Sequence, residues 1–209
     1  MHPYSIQSAR WTKVGYLMLI TVLLAGPLNS AISQAITIIP GSYINDVSPA
    51  IPTMTLFGGL YLVWNKYIWR YPVISRFTEP PDLNGEWIGG LQSSYQSDLD
   101  EYRTDGGSTV EGPRIVIDQT WTRISVTAYF KDSTSVSTTA SFIQDMSDPV
   151  LRITYRNMPD GQSEDSMVMH TGTNDLRYRT DQDMEMLEGK YYTDEHRNNH
   201  GSIRLRKKD

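Results

Sequence analysis

The 209 residues include 19 Lys and Arg, 24 Asp and Glu, and no cysteine, which excludes a disulfide framework, a thiolate zinc site and a cysteine nucleophile. The charge is unevenly divided: residues 1–81 hold five basic and two acidic side chains, leaving 14 basic against 22 acidic in the remainder. An acidic domain of that kind repels long polyanions, so a DNA or RNA polymer is not an expected partner.

No charged residue lies between Lys13 and Asp46, or between Asp46 and Lys66. The uncharged runs 14–39 and 47–65 are each close to the roughly 20 apolar residues that cross a bilayer core. Residues 1–70 are therefore expected to form a transmembrane hairpin, with spans near 14–36 and 50–69. Trp11 and Tyr16 mark one edge, and Trp64, Tyr67, Trp69 and Tyr71 the other, as interfacial aromatics do. Arg10 and Lys13 precede the first span, and Lys66, Arg70 and Arg76 end or follow the second. The connection 37–50 has neither Lys nor Arg, so the positive-inside rule puts both termini in the cytoplasm of a multi-pass inner-membrane protein. A cleaved signal peptide is the rival reading of the first span, with 14–25 as its apolar core.

Pro27 is expected to kink or end the first helix. Neither span carries the ionisable side chain that a transporter needs near the midplane. If the hairpin does more than anchor, it must associate, and Ala31, Ala35, Thr55 and Gly59 are spaced for close helix contact.

Residues 71–82 contain three prolines and read as a stiff linker. Beyond it, strand patterns recur between Gly, Asp, Asn and Pro clusters: 85–93, 114–120, 121–130, 135–144, 150–156, 166–171, 186–193 and 202–206. Alternation is clear in Ile115/Ile117, Ile124/Val126/Ala128 and Leu151/Ile153/Tyr155. Residues 83–209 are accordingly expected to form an all-β domain, an antiparallel up-and-down β-barrel of about eight strands, lipocalin-like, with a β-sandwich as the alternative. Gly85-Glu86-Trp87 on the first strand and Arg204-Leu205-Arg206 on the last suggest a cation packed on an indole where the ring closes.

No phosphate loop or dinucleotide fingerprint is present. His196 and His200 are four residues apart, but Arg197-Asn198-Asn199 and Gly201 make the segment a turn with no helix to align the rings on a metal. No enzyme activity, metal or cofactor is expected. Hydroxyl, amide, guanidinium and aromatic groups are instead concentrated on the strands around Trp121, Ser133, Tyr155, His170 and Tyr191.

Several segments taken in order carry a family resemblance: the hairpin, Leu83-Asn84-Gly85-Glu86-Trp87, Ile117-Asp118-Gln119-Thr120-Trp121, the serine/threonine run 133–140, Tyr155-Arg156-Asn157-Met158-Pro159, His170-Thr171-Gly172-Thr173 and Leu187-Glu188-Gly189-Lys190-Tyr191-Tyr192. Together they resemble the CD-NTase-associated protein 15 family, membrane effectors of bacterial CBASS antiphage systems. The resemblance implies two transmembrane helices, a β-barrel receptor, and a cyclic dinucleotide made by a partner CD-NTase. It further implies oligomerisation on binding and disruption of the inner membrane, ending in arrest or death of the infected cell. On that implication Arg156 and Arg197 are candidates for the ligand's phosphates, Trp121, Tyr155 and Tyr191 for its bases, and Asn157 and Thr173 for further polar contacts. A membrane-tethered lipocalin-like carrier of apolar molecules and a passive recruitment anchor are the alternatives.

Overall fold

The computed structural model describes residues 1–6, 10–37, 53–75, 80–93, 113–145, 148–159, 169–181, 184–195 and 199–208. The chain divides into two compact units, one of Met1–Gln7 with Ser75–Asp209 and one of Ser8–Ile74.

The helical unit holds α1 (Arg10–Thr37) and α2 (Thr53–Lys66), which pack on each other, then a 3-10 turn over Ile68–Arg70 and a short α3 (Pro72–Ser75). At about 1.5 Å per residue, the 28 residues of α1 exceed the roughly 30 Å of a bilayer core. Within it, the stretch Val14–Ala31 is apolar and largely unburied. Leu23, Leu19 and Val22 are all exposed, an apolar surface that suits lipid and would be costly in water. The helix runs through Pro27 without ending. The buried face of α1 is Leu17, Thr21 and Ala25, one stripe at four-residue spacing. The Thr21 hydroxyl satisfies itself by donating to the Leu17 carbonyl at 2.8 Å. Ala31, Ala35, Thr55 and Gly59, spaced for close helix contact, are exposed on the single chain. The described part of α2 is 14 residues, shorter than the expected span 50–69, and it ends at Lys66.

Among the described residues the β-unit contains nine strands: β1 (His2–Ile6), β2 (Gly85–Ser93), β3 (Arg114–Gln119), β4 (Arg123–Tyr129), β5 (Ser133–Asp145), β6 (Asp148–Pro159), β7 (His170–Asp181), β8 (Met184–Thr193) and β9 (His200–Lys207). Each of β2 to β9 pairs antiparallel with its sequence neighbour, β9 returns to β2, and the ring is closed. Two expectations change. The seventh strand begins at His170 and continues through Gly172-Thr173-Asn174-Asp175, a run whose turn-like composition hides it in the sequence. The second change is β1, which lies in the segment read from the sequence as part of the hairpin.

The reason for β1 is a seam. β4 and β5 pair only over Thr127↔Val136, Ala128↔Ser135 and Tyr129↔Thr134, then part where a bulge interrupts β5 between Ser137 and Thr139. β1 fills the opening, antiparallel to β4 (His2↔Ile124) and parallel to β5 (Tyr4↔Ala140, Ile6↔Phe142). Tyr4 is buried, meets Phe142 edge-on at 5.4 Å, and donates its hydroxyl to the Trp121 carbonyl at 2.7 Å. The Ser137 hydroxyl sits where the strands separate, accepting from the Val126 N–H at 2.9 Å and lying 2.8 Å from Nε2 of His2.

One end of the ring is shut by the segment Asp82-Leu83-Asn84-Gly85. Gln119, almost fully buried, accepts from the Leu83 N–H at 2.9 Å and donates to the Pro81 carbonyl at 3.1 Å. The Asn84 amide brackets the Gln119 backbone, accepting from its N–H and donating to its carbonyl. Gly85 follows at φ +126°, a backbone region that side chains disfavour, which accounts for the glycine in this motif. Trp87 is fully buried and donates its indole N–H to the Leu83 carbonyl at 2.9 Å. The cation over its ring is Lys207, 5.7 Å from the centroid and its register partner, in place of the arginine expected from the sequence. Arg204 is taken by Glu188 at 2.7 Å, and Arg206 is exposed. The core between this end and the middle of the ring is aliphatic, built on Ile115, Ile117, Ile124, Leu151, Leu187 and Leu205.

Candidate ligand-binding site

At the other end the aliphatic core stops short and leaves a cavity of about 220 Å³. Its floor is Ile115, Val126, Ile153, Leu176 and Ile203, and its walls combine the apolar Leu91, Ala128 and Phe130 with Ser133, Ser135, Tyr155, Asn157, His170, Asn174 and Tyr191. The switch follows strand periodicity. On β5 the inward positions are Ser133, Ser135 and Ser137 before the bulge, and Ala140 and Phe142 after it. The serine/threonine run therefore faces in with its serines, and the apolar residues come only below the bulge.

Two glycines set the aromatic walls. Tyr155 pairs with Gly172, and a Cβ there would collide with the Tyr155 phenol and the Tyr192 carbonyl. Tyr191 pairs with Gly201, where a Cβ would meet the Tyr191 ring and the Gln92 carbonyl. Each tyrosine thus lies across a strand that offers it no side chain. The mouth is tied by Thr193 and Asn199: the Thr193 N–H donates to the Asn199 carbonyl, and the Asn199 N–H to the Thr193 hydroxyl, both at 2.8 Å.

The polar atoms are unevenly satisfied. The Asn157 amide nitrogen donates to the Ser133 and Ser135 hydroxyls at 3.0 and 2.9 Å. Its Oδ1, the Oδ1 of Asn174 and the Tyr191 hydroxyl are buried with no hydrogen-bond partner. Asn157 and Tyr191 are only 4% and 5% exposed. A buried polar atom without a partner costs about 1–3 kcal/mol, so a polar ligand that supplied partners to these three atoms would gain from each of them. Among the described lining residues there is no Lys, Arg, Asp or Glu.

Around the cavity the charges sit on the outer face, where β-strand alternation sends them, while Lys207 and Glu185, at inward positions, pair with each other toward the closed end. Arg152 forms a two-bond pair with Asp175, both bonds 2.7 Å, and that partner holds its guanidinium pKa above the ordinary value. Arg179 meets Asp148 at 3.1 Å. No cluster of metal-ligating side chains occurs among the described residues.

Of the residues singled out in the sequence, the structure brings Tyr155, Asn157 and Tyr191 together on the cavity wall. Trp121 is buried at the closed end, in the turn between β3 and β4, away from the cavity lining. Arg156 stands between Tyr155 and Asn157 on β6 and is therefore exposed on the outer face. Thr173 faces outward for the same reason, between Gly172 and Asn174. Arg197 and His196 lie outside the described residues, and His200 is exposed on β9. Sequence reasoning missed Asn174, hidden in a turn-like run. It also passed over the inward parity of Ser133 and Ser135, which the spacing to Ala140 and Phe142 conceals until the bulge is known.

Residues 78–207 match the family model described as Cap15, cyclic dinucleotide receptor domain. The chain belongs to the Cap15 family. Residues 13–70 match the companion model of Cap15 transmembrane helices, so this Cap15 chain joins a receptor domain to a membrane segment. Among curated proteins it is 30% identical over 152 residues to a CD-NTase-associated protein 15 of Yersinia aleksiciae, covering 72% of this chain and 66% of that one. A protein of the same name from Escherichia albertii is 35% identical over 72 residues, 34% of this chain and 31% of the relative. The matched stretches span less than two thirds of either relative's length. The Cap15 models leave residues 2–6 unmatched, so β1 lies outside both.

Proposed function

We propose that this protein is a cyclic-dinucleotide-responsive membrane effector of a CBASS antiphage system. Its β-unit is a lipocalin-like up-and-down barrel with β1 inserted as a ninth strand. A cyclic dinucleotide from a partner CD-NTase binds at the open end, the protein assembles with copies of itself, and the assembled hairpins disrupt the inner membrane. The observation that carries the reading is the cavity with three buried, unpaired polar atoms inside a domain of the cyclic dinucleotide receptor family. A carrier of apolar molecules would gain nothing from those atoms and would pay for them.

The membrane arrangement has support beyond loop charge. β1 precedes α1 and β2 follows α3, yet both belong to one folded unit. That supports placing both flanks of the helical unit on the same side of a bilayer, and with it an even number of crossings. The basic residues Arg10, Lys13, Lys66, Arg70 and Arg76 make that side cytoplasmic.

The test uses the full chain in lipid nanodiscs, because a fragment starting near residue 80 would lack β1. Calorimetry against cyclic di-AMP, cyclic di-GMP and cyclic di-UMP is expected to show saturable binding of at least one. The same ligand should release dye from vesicles carrying the protein and increase its assembly size. No binding by any cyclic dinucleotide, or dye release by a species that stays monomeric, would overturn the reading.

A further inference from the structure

The unpaired atoms of the cavity have a chemical sense that distinguishes the parts of a nucleotide. Two of the three are carbonyl oxygens, Oδ1 of Asn157 and Oδ1 of Asn174, which can only accept a hydrogen bond. Phosphate oxygens at neutral pH are also acceptors, and no Lys or Arg is among the described residues lining the cavity. A phosphate placed there would face these two acceptor oxygens with no Lys or Arg and, among the described lining residues, only the His170 imidazole as a basic side chain, a costly burial. The groups that answer these oxygens are N–H or O–H donors.

Size and shape narrow the choice. A cavity of about 220 Å³ falls below the range of about 300–1,000 Å³ for pockets that enclose a whole drug-sized ligand. It suits a fragment, and its walls carry the Tyr155 and Tyr191 rings, held beside Gly172 and Gly201. Aromatic rings of this kind stack on bases. The Asn157 amide is oriented by Ser133 and Ser135, which take its N–H groups and leave Oδ1 as its unpaired atom.

Resting on the cyclic dinucleotide reading, we propose that the cavity takes one nucleobase of the ligand. The base's N–H edge meets Oδ1 of Asn157 and Asn174, with the Tyr191 hydroxyl as a third contact, and the phosphate–ribose ring stays outside the mouth. Base identity is then read by neutral amides, while the phosphates contribute from outside the cavity and are sensitive to salt.

The experiment pairs ligand changes with protein changes in nanodiscs. The tightest binder among cyclic di-AMP, cyclic di-GMP and cyclic di-UMP is compared with its analogue methylated at the base N–H, and with its 2′-deoxy analogue. On the parent, methylation is expected to weaken binding about tenfold or more, the scale of a buried hydrogen bond. On Asn174→Leu the methylation loss should be clearly smaller than on the parent, because one of the two acceptors is already gone. Tyr191→Phe, which keeps the ring, is the second variant should Asn174→Leu fail to fold by thermal melt; it is expected to weaken the unmodified ligand while leaving the salt slope of binding unchanged. Equal methylation losses in parent and Asn174→Leu would overturn the proposal. So would a 2′-deoxy loss that vanishes in the variant, since the donor would then be ribose. An unchanged affinity in Tyr191→Phe would remove the third contact and overturn it as stated. If the parent binds none of the three probes, the receptor reading itself fails, a result distinct from binding without base coupling.

Discussion

Gly172 and Gly201 show how single residues shape the cavity without touching a ligand. Each is small because a tyrosine lies across it, and a methyl group at either would also strike backbone, the Tyr192 and Gln92 carbonyls respectively. Gly172→Ala and Gly201→Ala are each expected to cost about 1–3 kcal/mol of stability, read by thermal or denaturant unfolding, and to weaken ligand binding by displacing Tyr155 or Tyr191. A second residue-scale expectation concerns alkali. Burial, together with the hydrogen bond its hydroxyl makes to Glu185 at 2.6 Å, raises the Tyr178 pKa from 10.0 to about 12. The neutral phenol is therefore favoured in the folded state. Its contribution is fully present below pH 10 and is lost as the pH climbs toward 12. Unfolding followed from pH 9 to 12 should show a decline that Tyr178→Phe reduces. The candidate ligand residues were legible at this scale only in part. Tyr155 and Asn157 share a parity that puts them together, and the same parity sends Arg156 outward.

Among the elements, β1 is the one whose existence depends on others. Five residues, His-Pro-Tyr-Ser-Ile, carry too little pattern to announce a strand, and the apolar span that follows dominates any reading of the N-terminus. The strand forms because β4 and β5 separate at the Ser137/Thr139 bulge and leave unpaired backbone that a neighbour can satisfy. The chain has no cysteine, so Ser5→Cys with Ser141→Cys creates the sole possible intramolecular disulfide. These residues are register partners, and adjacent strands about 4.8 Å apart lie within disulfide reach. Oxidation of the membrane-embedded double variant is expected to give one faster-migrating band on a non-reducing gel; its absence would refute the placement of β1. Tyr4→Ala should lower stability by about 3 kcal/mol, through the lost packing on Phe142 and the lost bond to the Trp121 carbonyl. Gly59 has open space around it, so Gly59→Leu should leave the single chain folded and test helix association by its effect on dye release alone.

For the whole molecule, the ring has two unlike ends. Ile6 and Leu83, where the chain leaves for and returns from the helices, lie at the end shut by Gln119, Trp87 and Trp121. The cavity is at the opposite end, among Phe130, Ser133, Thr193 and Asn199. Reporter fusions at Met1 and at Asp209 are both expected to report the cytoplasm, because β1 and β2–β9 fold together; opposite locations for the two would contradict a single ring. The presence of an apolar helical segment and of an alternating all-β domain was decided by the sequence alone, because spans and strands are local patterns of charge, hydropathy and period. The acidic balance of the domain and the absence of thiol chemistry were equally direct. Tertiary structure decided the ninth strand, the lysine that covers Trp87, the course of β7 through a turn-like run, and the meeting of Asn157, Asn174 and Tyr191. Each of these depends on which backbone lies beside which, and that is set by ring closure and by a bulge that no window of sequence contains.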